Sequence, residues 1–410
     1  MTAPRERLDE VEERLLAAAR VRSSRLREEL AAWVAIPTGR GHLEGIERQR
    51  EAIVDRLAAL GATARRIAGD PRPPWLHGSE AGTSRAIPDA SVITTPGAGP
   101  AFLLVGHLDT VHDPHGAFQR LEEVGGGRAV GPGAADMKGG ILVAVAALEI
   151  LQELGHAVRW TFLLNADEET GSFHSARLLD AEARRHDVGL VFEPALPGGA
   201  LAIARMGAGQ FRLDARGRAA HVGRDFTEGV SAVTALARCL VKVPEFSDPS
   251  AGRLVNVGPI SGGAATNIVP DHAVAWGNVR FADPAAAARL GRDLASLATP
   301  PTAMPSIAVE FLANRPAKPT TPAVEAIANE AAAVSRALGR DLPFATTGGV
   351  CDGNILHQAG LPTLDNLGVR GGNLHRLDEF VELDSLVERT ALVAILIRRL
   401  SLAGAPRRDR

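Results

Sequence analysis

The stretch LLVGHLDT, residues 103–110, decides how this chain reads. Ahead of it, Ala101 to Val105 is apolar throughout, the pattern of a strand buried on both faces, and it delivers Gly106, His107 and Asp109 to its carboxyl end. Open α/β sheets place their chemistry at that edge. His107 offers an imidazole, and Asp109, two residues on along extended chain, points the same way and can accept the other ring N–H, fixing a metal ligand's tautomer. By itself, His-x-Asp at a strand end is more often a surface turn. The surrounding chain changes that reading.

The same arrangement recurs on both sides. A strand from Arg159 to Leu164 ends in NADEETGS, 165–172, where Asp167, Glu168 and Glu169 would repel one another unless a cation sits among them. A strand from Val188 to Phe192 delivers Glu193. GPGAADMKGG, 131–140, places Asp136 just before an apolar helix from Gly140 to Leu154, where an isolated aspartate would be an N-cap. Late in the chain, LGVRGGNLHRLDEFV, 367–381, carries His375 in a glycine-bearing loop.

His107, Asp136, Glu169, Glu193 and His375 are nitrogen and oxygen ligands without a thiolate, a set suited to a hydrolytic zinc, cobalt or manganese centre rather than a structural zinc site. Five ligands are too many for one catalytic ion with an open position. With one carboxylate bridging, two ions each receive three. Such ions lie about 3.5–4 Å apart, lower the pKa of a bound water toward about 7 and polarise the carbonyl under attack. A general base must stay off the metal, and adjacent glutamates at a strand end can divide the two tasks; spacing alone does not say which takes which.

At 410 residues, the chain is long enough for two domains of ordinary size. Apolar and charged contents of 45% and 23% are those of a soluble globular protein. A net charge of −3 gives no reason to expect nucleic acid as a partner, and apolar runs such as Ile141 to Leu148 fall short of a membrane span. The charged, helix-patterned N-terminus lacks the apolar core of a signal peptide, and Cys239 and Cys351 read as free thiols, so a cytoplasmic location is expected. Residues 4 to 65 read as two helices broken at Ile36-Pro37, followed by a Pro-, Gly- and Ser-rich excursion from Gly69 to Gly99 that carries a short strand at Ala90 to Thr94. Between about 203 and 316 the pattern becomes βαββαβ, the order of a ferredoxin-like module. The expected division is therefore 1–202 and 317–410 for one α/β domain with a mixed, mostly parallel sheet, interrupted by 203–316.

GHLDTV, GPGAADMKGG, DEETGS, FEP, GRAAH, GGAATNIVPD and LGVRGGNLH, in this order, resemble the M20 dinuclear metallopeptidases and deacylases, which include glutamate carboxypeptidase, acetylornithine deacetylase and succinyl-diaminopimelate desuccinylase. The resemblance runs from about residue 100 onward. It implies a zinc-peptidase-like catalytic domain with a ferredoxin-like lid that dimerises, and two divalent ions, zinc first with cobalt or manganese as alternatives. It also implies that Asp136 bridges and is followed by a cis peptide, that His107 and Glu193 serve one ion and Glu169 and His375 the other, and that Glu168 is the base, with Asp109 behind His107. His221 would cross to the partner's site to stabilise an oxyanion, and Asn267 and Arg280 would hold a substrate carboxylate, for which a guanidinium fork is apt. The implied reaction releases an amino acid with a free α-carboxylate from a peptide or N-acyl amino acid, as a glutamate carboxypeptidase does. N-acyl-amino-acid deacylation, a two-metal phosphoesterase and a non-catalytic metal-dependent binding protein are the alternatives. Relatives often carry GGTSD where this chain has GGVCDGN, 348–354, so Val350 and Cys351 stand in place of two hydroxyls.

Overall fold

The structure is a computed structural model that describes residues 6–78 and 87–404. The middle of the expected excursion, 79–86, and the first residues of the expected N-terminal helix lie outside the described residues. Six strands form the main sheet in the order Thr63–Ile67, Ala90–Thr95, Val158–Asn165, Ala98–His107, Val188–Val191, Thr363–Leu364. The last four run parallel and Ala90–Thr95 pairs antiparallel with both its neighbours, which makes the sheet mixed with a parallel core of four strands. The His107 strand is interior and buried from Pro100 to its end, so its apolar run reflects cover on both faces.

That cover explains the neighbouring sequence. The helix Gly140–Glu153 has every residue from Gly140 to Leu151 buried, as an all-apolar helix requires. It lies against the C-terminal helix Asp384–Ala403 and the N-terminal helices. Phe102, Phe162 and Phe192 are fully buried between the layers, each stabilising the fold by roughly 1.5–3 kcal/mol. A second core, around Leu103, Val105, Leu179 and Leu356, lies on the other face.

The N-terminal reading needs correction. Three helices form, Glu10–Val21, Ser23–Val34 and Leu43–Ala58, followed by a strand, in place of two helices. The first break falls at Arg22, whose guanidinium bonds the Ala18 carbonyl at 2.8 Å and also pairs with Glu153. The strand Thr63–Ile67 is an edge strand exposed along nearly its whole length, so no buried face marks it in the sequence.

Between residues 207 and 315 a four-stranded antiparallel sheet runs in the order Arg253–Gly262, His272–Phe281, Gly207–Arg216, Ser306–Arg315. Helices Ala232–Lys242 and Pro284–Ala295, capped by Ser231 and Asp283, bury their apolar sides against one face with Phe211, Leu213 and Leu290. Strand alternation turns Gln210, Trp276, Asn278 and Arg280 to the opposite face. The unit is closed at its neck, where the Arg205 N–H donates to the Lys318 carbonyl at 2.8 Å and the Lys318 N–H to the Arg205 carbonyl at 3.0 Å.

Candidate metal centre

His107 is buried at the end of its strand, and its Nδ1 lies 2.9 Å from the backbone carbonyl of Asp109. The Asp109 carboxylate was expected to take that ring N–H, but it sits 3.5 Å away and instead accepts the N–H groups of Glu168 at 3.3 Å and Glu169 at 3.0 Å. Its two oxygens are each committed to an amide N–H, which leaves the ring N–H to the nearer main-chain carbonyl. Asp109 thus fixes both the imidazole, through its main chain, and the turn bearing the two glutamates, through its side chain.

The turn Ala134–Gly139 carries Asp136, whose peptide bond to Met137 is cis. Asp136 Oδ1 lies 3.2 Å from His107 Nε2, and Oδ2 lies 3.4 Å from His375 Nε2. His375 Nε2 is also 3.3 Å from Glu169, and His107 Nε2 is 3.9 Å from Glu193. The Asp136 carboxylate therefore stands between two imidazoles, each with a glutamate beside it. Two overlapping triplets have all their ligand atoms within 4.8 Å of one another: His107, Glu168 and Glu193, and His107, Asp136 and Glu169.

The electrostatics call for a cation. Burial, then the charge of Asp136, holds Glu193 well above the carboxylate range, and burial above all lifts Glu169 to about 7. Hydrogen bonds to Asp136 and Glu169 raise His375 to about 10. Burial opposes charge on His107, yet Asp109 and Asp136 outweigh it and hold that imidazole well above its ordinary value. Glu169 Oε1 is buried without a hydrogen-bond partner among the described residues. An all-oxygen-and-nitrogen donor set with an orphaned carboxylate oxygen fits divalent ions of the zinc, cobalt or manganese kind.

Glu168 has a partner that the sequence reading missed. The buried Arg315 pairs with its carboxylate, and Arg315 Nη2 donates to the Glu168 carbonyl at 2.9 Å and to Ser172 Oγ at 2.6 Å. Asp352, 3.8 Å from Arg315, accepts from Ser172 at 2.5 Å and from Asn165 at 2.7 Å. Arg315 is thus one cation among the three acidic residues. Nearby, Arg205 donates to Asp365 at 3.0 Å and to Asn366 at 2.8 Å, while Lys318 reaches Asp365 at 3.1 Å. Arg205, Arg315 with Lys318, and Asp365 lie far apart in the chain and outside the motifs quoted above, so nothing in the sequence pattern marks them, and Asp352 falls within GGVCDGN without its partners being signalled.

A cavity of about 650 Å³ opens over Asp136, Glu168, Glu169, Glu193 and His375 and is walled on the inserted unit by Gln210, Asn278, Arg280 and Asn314. Arg280 faces it half-buried, bonded to Asn278, with no carboxylate at ion-pair distance among the described residues. Burial first, then the charge of Arg315, lowers the Arg280 pKa. Of GGVCDGN, Val350 lines the cavity, while Cys351 is buried at the start of helix Asp352–Gln358, its sulfur accepting from the Gly353 N–H. Two expected residues are elsewhere. His221, on the short strand Ala220–His221, and Asn267, in the turn before Ile268–Val269, are both exposed, the Val222 N–H donates to the Asn267 carbonyl at 3.0 Å, and neither residue lines this cavity.

The profile of Peptidase family M20/M25/M40 matches residues 103–399. The chain is 30% identical to carboxypeptidase G2 of Pseudomonas sp. (strain RS-16) over 90% of this chain and 88% of that protein. It is 31% identical to succinyl-diaminopimelate desuccinylase of Methylorubrum populi over 74% of this chain and 83% of that protein. In fold it resembles aminopeptidase PepT from Bacillus cereus ATCC 10987, with a TM-score of 0.70 at 22% identity, covering 92% of this chain and 98% of that one. It also resembles the M20 family metallo-carboxypeptidase Sso-CP2 from Sulfolobus solfataricus, with a TM-score of 0.69 at 15% identity over 92% and 99%. The chain therefore belongs to peptidase family M20/M25/M40 and is a metal-dependent hydrolase of amide bonds.

Proposed function

We propose that the enzyme releases an amino acid bearing a free α-carboxylate, glutamate first, from a peptide or N-acyl group. The observation that carries this reading is Arg280: a half-buried guanidinium on the cavity wall, close enough to Arg315 to feel its charge and without a carboxylate of its own. A guanidinium facing the cavity favours an anion there, and the amino acid's carboxylate supplies one.

His107 and Glu193 would hold one ion, Glu169 and His375 the other, and Asp136 both; zinc suits the donor set, with cobalt or manganese as substitutes. The ions supply Lewis acidity at the scissile carbonyl and a water of lowered pKa. Glu168 takes the proton from the attacking water as the C–O bond forms and the carbonyl becomes a tetrahedral oxyanion, then passes that proton to the departing nitrogen as the amide C–N bond breaks. Asp109 holds the Glu168–Glu169 turn still through both amides. Arg280 orients the leaving residue.

Residues 203–316 would act as a lid and dimer interface, in a cytoplasmic enzyme. His221 and Asn267 do not line their own cavity, and Phe226 and Ile268 beside them are 63% and 45% exposed, an apolar surface suited to a second copy. A partner's His221 would then complete the site by stabilising the oxyanion, with Asn267 beside it. Deacylation of an N-acyl amino acid uses the same residues, and the two reactions differ only in what lies beyond the amide. The test is hydrolysis of dipeptides and N-acyl amino acids, each offered with a free and an amidated carboxylate, by zinc-loaded enzyme. Release from the free acids alone is expected; equal release from the amides would refute the carboxylate reading.

A further inference from the structure

The carboxylate of Glu379 is 1% exposed, and three hydrogen bonds converge on it, one of them from the main chain of the candidate ligand Asp136. Its Oε1 accepts the backbone N–H groups of Ala135 at 3.0 Å and Asp136 at 3.1 Å, and its Oε2 accepts from His112 Nε2 at 2.7 Å. Its own carbonyl accepts from the Gly131 N–H at 3.0 Å. Glu379 stands four residues after His375, His112 five after His107, and Asp136 between the two imidazoles. One buried side chain therefore ties together the strand exit that carries His107, the turn that carries Asp136 and the loop that carries His375.

The need for such a tie is local. Ala135 and Asp136 are buried in a turn of irregular backbone, so their N–H groups have no ladder to enter and would each cost about 1–3 kcal/mol unpaired. His375 is 53% exposed in its side chain and sits at φ +66°, in a loop without the support of regular structure. Flanking pairs, Gly371–Gly372 with Phe380–Val381 and Phe380–Glu382 with Arg128–Val130, fix the ends of that loop but not its middle.

We propose that Glu379 is a positioning residue that sets the spacing of the two halves of the metal centre, by holding the peptide of Asp136 in register with the loop of His375. The inference rests on the ligand assignment given above. Outer partners of this kind change metal affinity by about 10–100-fold when removed.

The test is zinc binding by metal-free full-length protein, followed in competition with a chromophoric chelator, with cobalt absorption spectra read on the same variants. Glu379→Ala is expected to weaken one or both ions about 10–100-fold and to alter the cobalt spectrum, and, because it strands two buried amides, to lower the unfolding temperature of the metal-free protein as well. Glu379→Gln keeps an acceptor for the two amides, while His112 can change tautomer, so affinity should return to near that of the parent. His112→Ala, which removes one of the three bonds, should act in the same direction more weakly and serves if Glu379→Ala does not fold. Unchanged zinc affinity in these variants overturns the proposal. So does a loss that Gln fails to restore, or a cobalt spectrum that stays that of the parent, because either assigns Glu379 to packing alone. A parent protein that binds no zinc would instead refute the ligand assignment itself.

Discussion

Glu168→Gln separates three roles that the geometry brings together on one side chain. As a base, Glu168 is worth about 10²–10⁴ in rate, and the amide cannot replace it. As the partner of Arg315 it is part of a buried ion pair, with side-chain exposures of 11% and 2%. Breaking such a pair from one side costs about 3–5 kcal/mol when the remaining charge is stranded. Here it is not stranded: Asp352 lies 3.8 Å from the guanidinium, an attraction on the order of 4 kcal/mol at an effective dielectric near 20. The Glu168 carbonyl and Ser172 keep their bonds as well. The expected loss of stability is therefore about 1–2 kcal/mol, below the usual figure for a severed buried pair. As a ligand, Glu168 would take an ion with it when replaced, since it lies within 4.8 Å of His107 and Glu193. The assays are steady-state turnover, metal content by mass spectrometry and urea unfolding. Turnover down about 10²–10⁴-fold with two ions retained is the expected result. Activity within tenfold of the parent would remove Glu168 as the base, and a fall to one ion would make it a ligand.

Arg280→Ala should raise KM for free-carboxylate substrates about 10–100-fold while kcat changes little, the loss of one charge-assisted contact; an unchanged KM in steady-state kinetics would take Arg280 out of the binding site. His221→Ala should lower kcat about 10²–10³-fold without loss of metal, as removal of an oxyanion donor does. Mixing it with Glu168→Gln chains should recover activity if the histidine acts across a dimer, and no recovery would place it in its own site. Zinc must displace protons, with His375 held at about 10 by Asp136 and Glu169, and Glu169 at about 7 chiefly by burial. Affinity should therefore climb with pH through neutrality, and calorimetry in buffers of different ionisation enthalpy should register released protons; a pH-independent affinity would contradict these shifts. In the metal-free protein both folded pKa values exceed the unfolded ones, so the stability these groups contribute is fully present at low pH. The Glu169 share is lost between about pH 4.5 and 7, and the His375 share between about 6.5 and 10.

The residues that announce the centre in the sequence are those at strand ends. The apolar runs before His107, Asp167 and Glu193 are long enough to mark buried parallel strands, and a buried strand can expose chemistry only at its tip. The βαββαβ order was legible because the strands between 207 and 315 alternate and two capped helices punctuate them. What stayed hidden falls into two kinds. Arg205, Arg315, Asp352, Asp365 and Glu379 meet only when distant segments pack, and a charged residue in a one-dimensional pattern looks like solvent-facing surface until its burial is known. The role of Asp109 depended on a choice between its own carbonyl and its carboxylate, a matter of tenths of an ångström that spacing cannot resolve.

The neck at Arg205 and Lys318 has a consequence for how such enzymes diversify. Because the two crossing points are hydrogen-bonded neighbours, everything between them is a cassette whose ends already meet, with its own core around Phe211 and Leu290. His107, Asp136, Glu168, Glu169, Glu193 and His375 lie outside the cassette, whereas Gln210, Asn278, Arg280 and Asn314 lie within it. On the proposed assignment, the cutting edge and one wall of the gauge that decides what is cut thus reside on separate inheritable parts. Changes to that gauge, or its wholesale exchange between relatives, can alter diet while leaving the blade untouched.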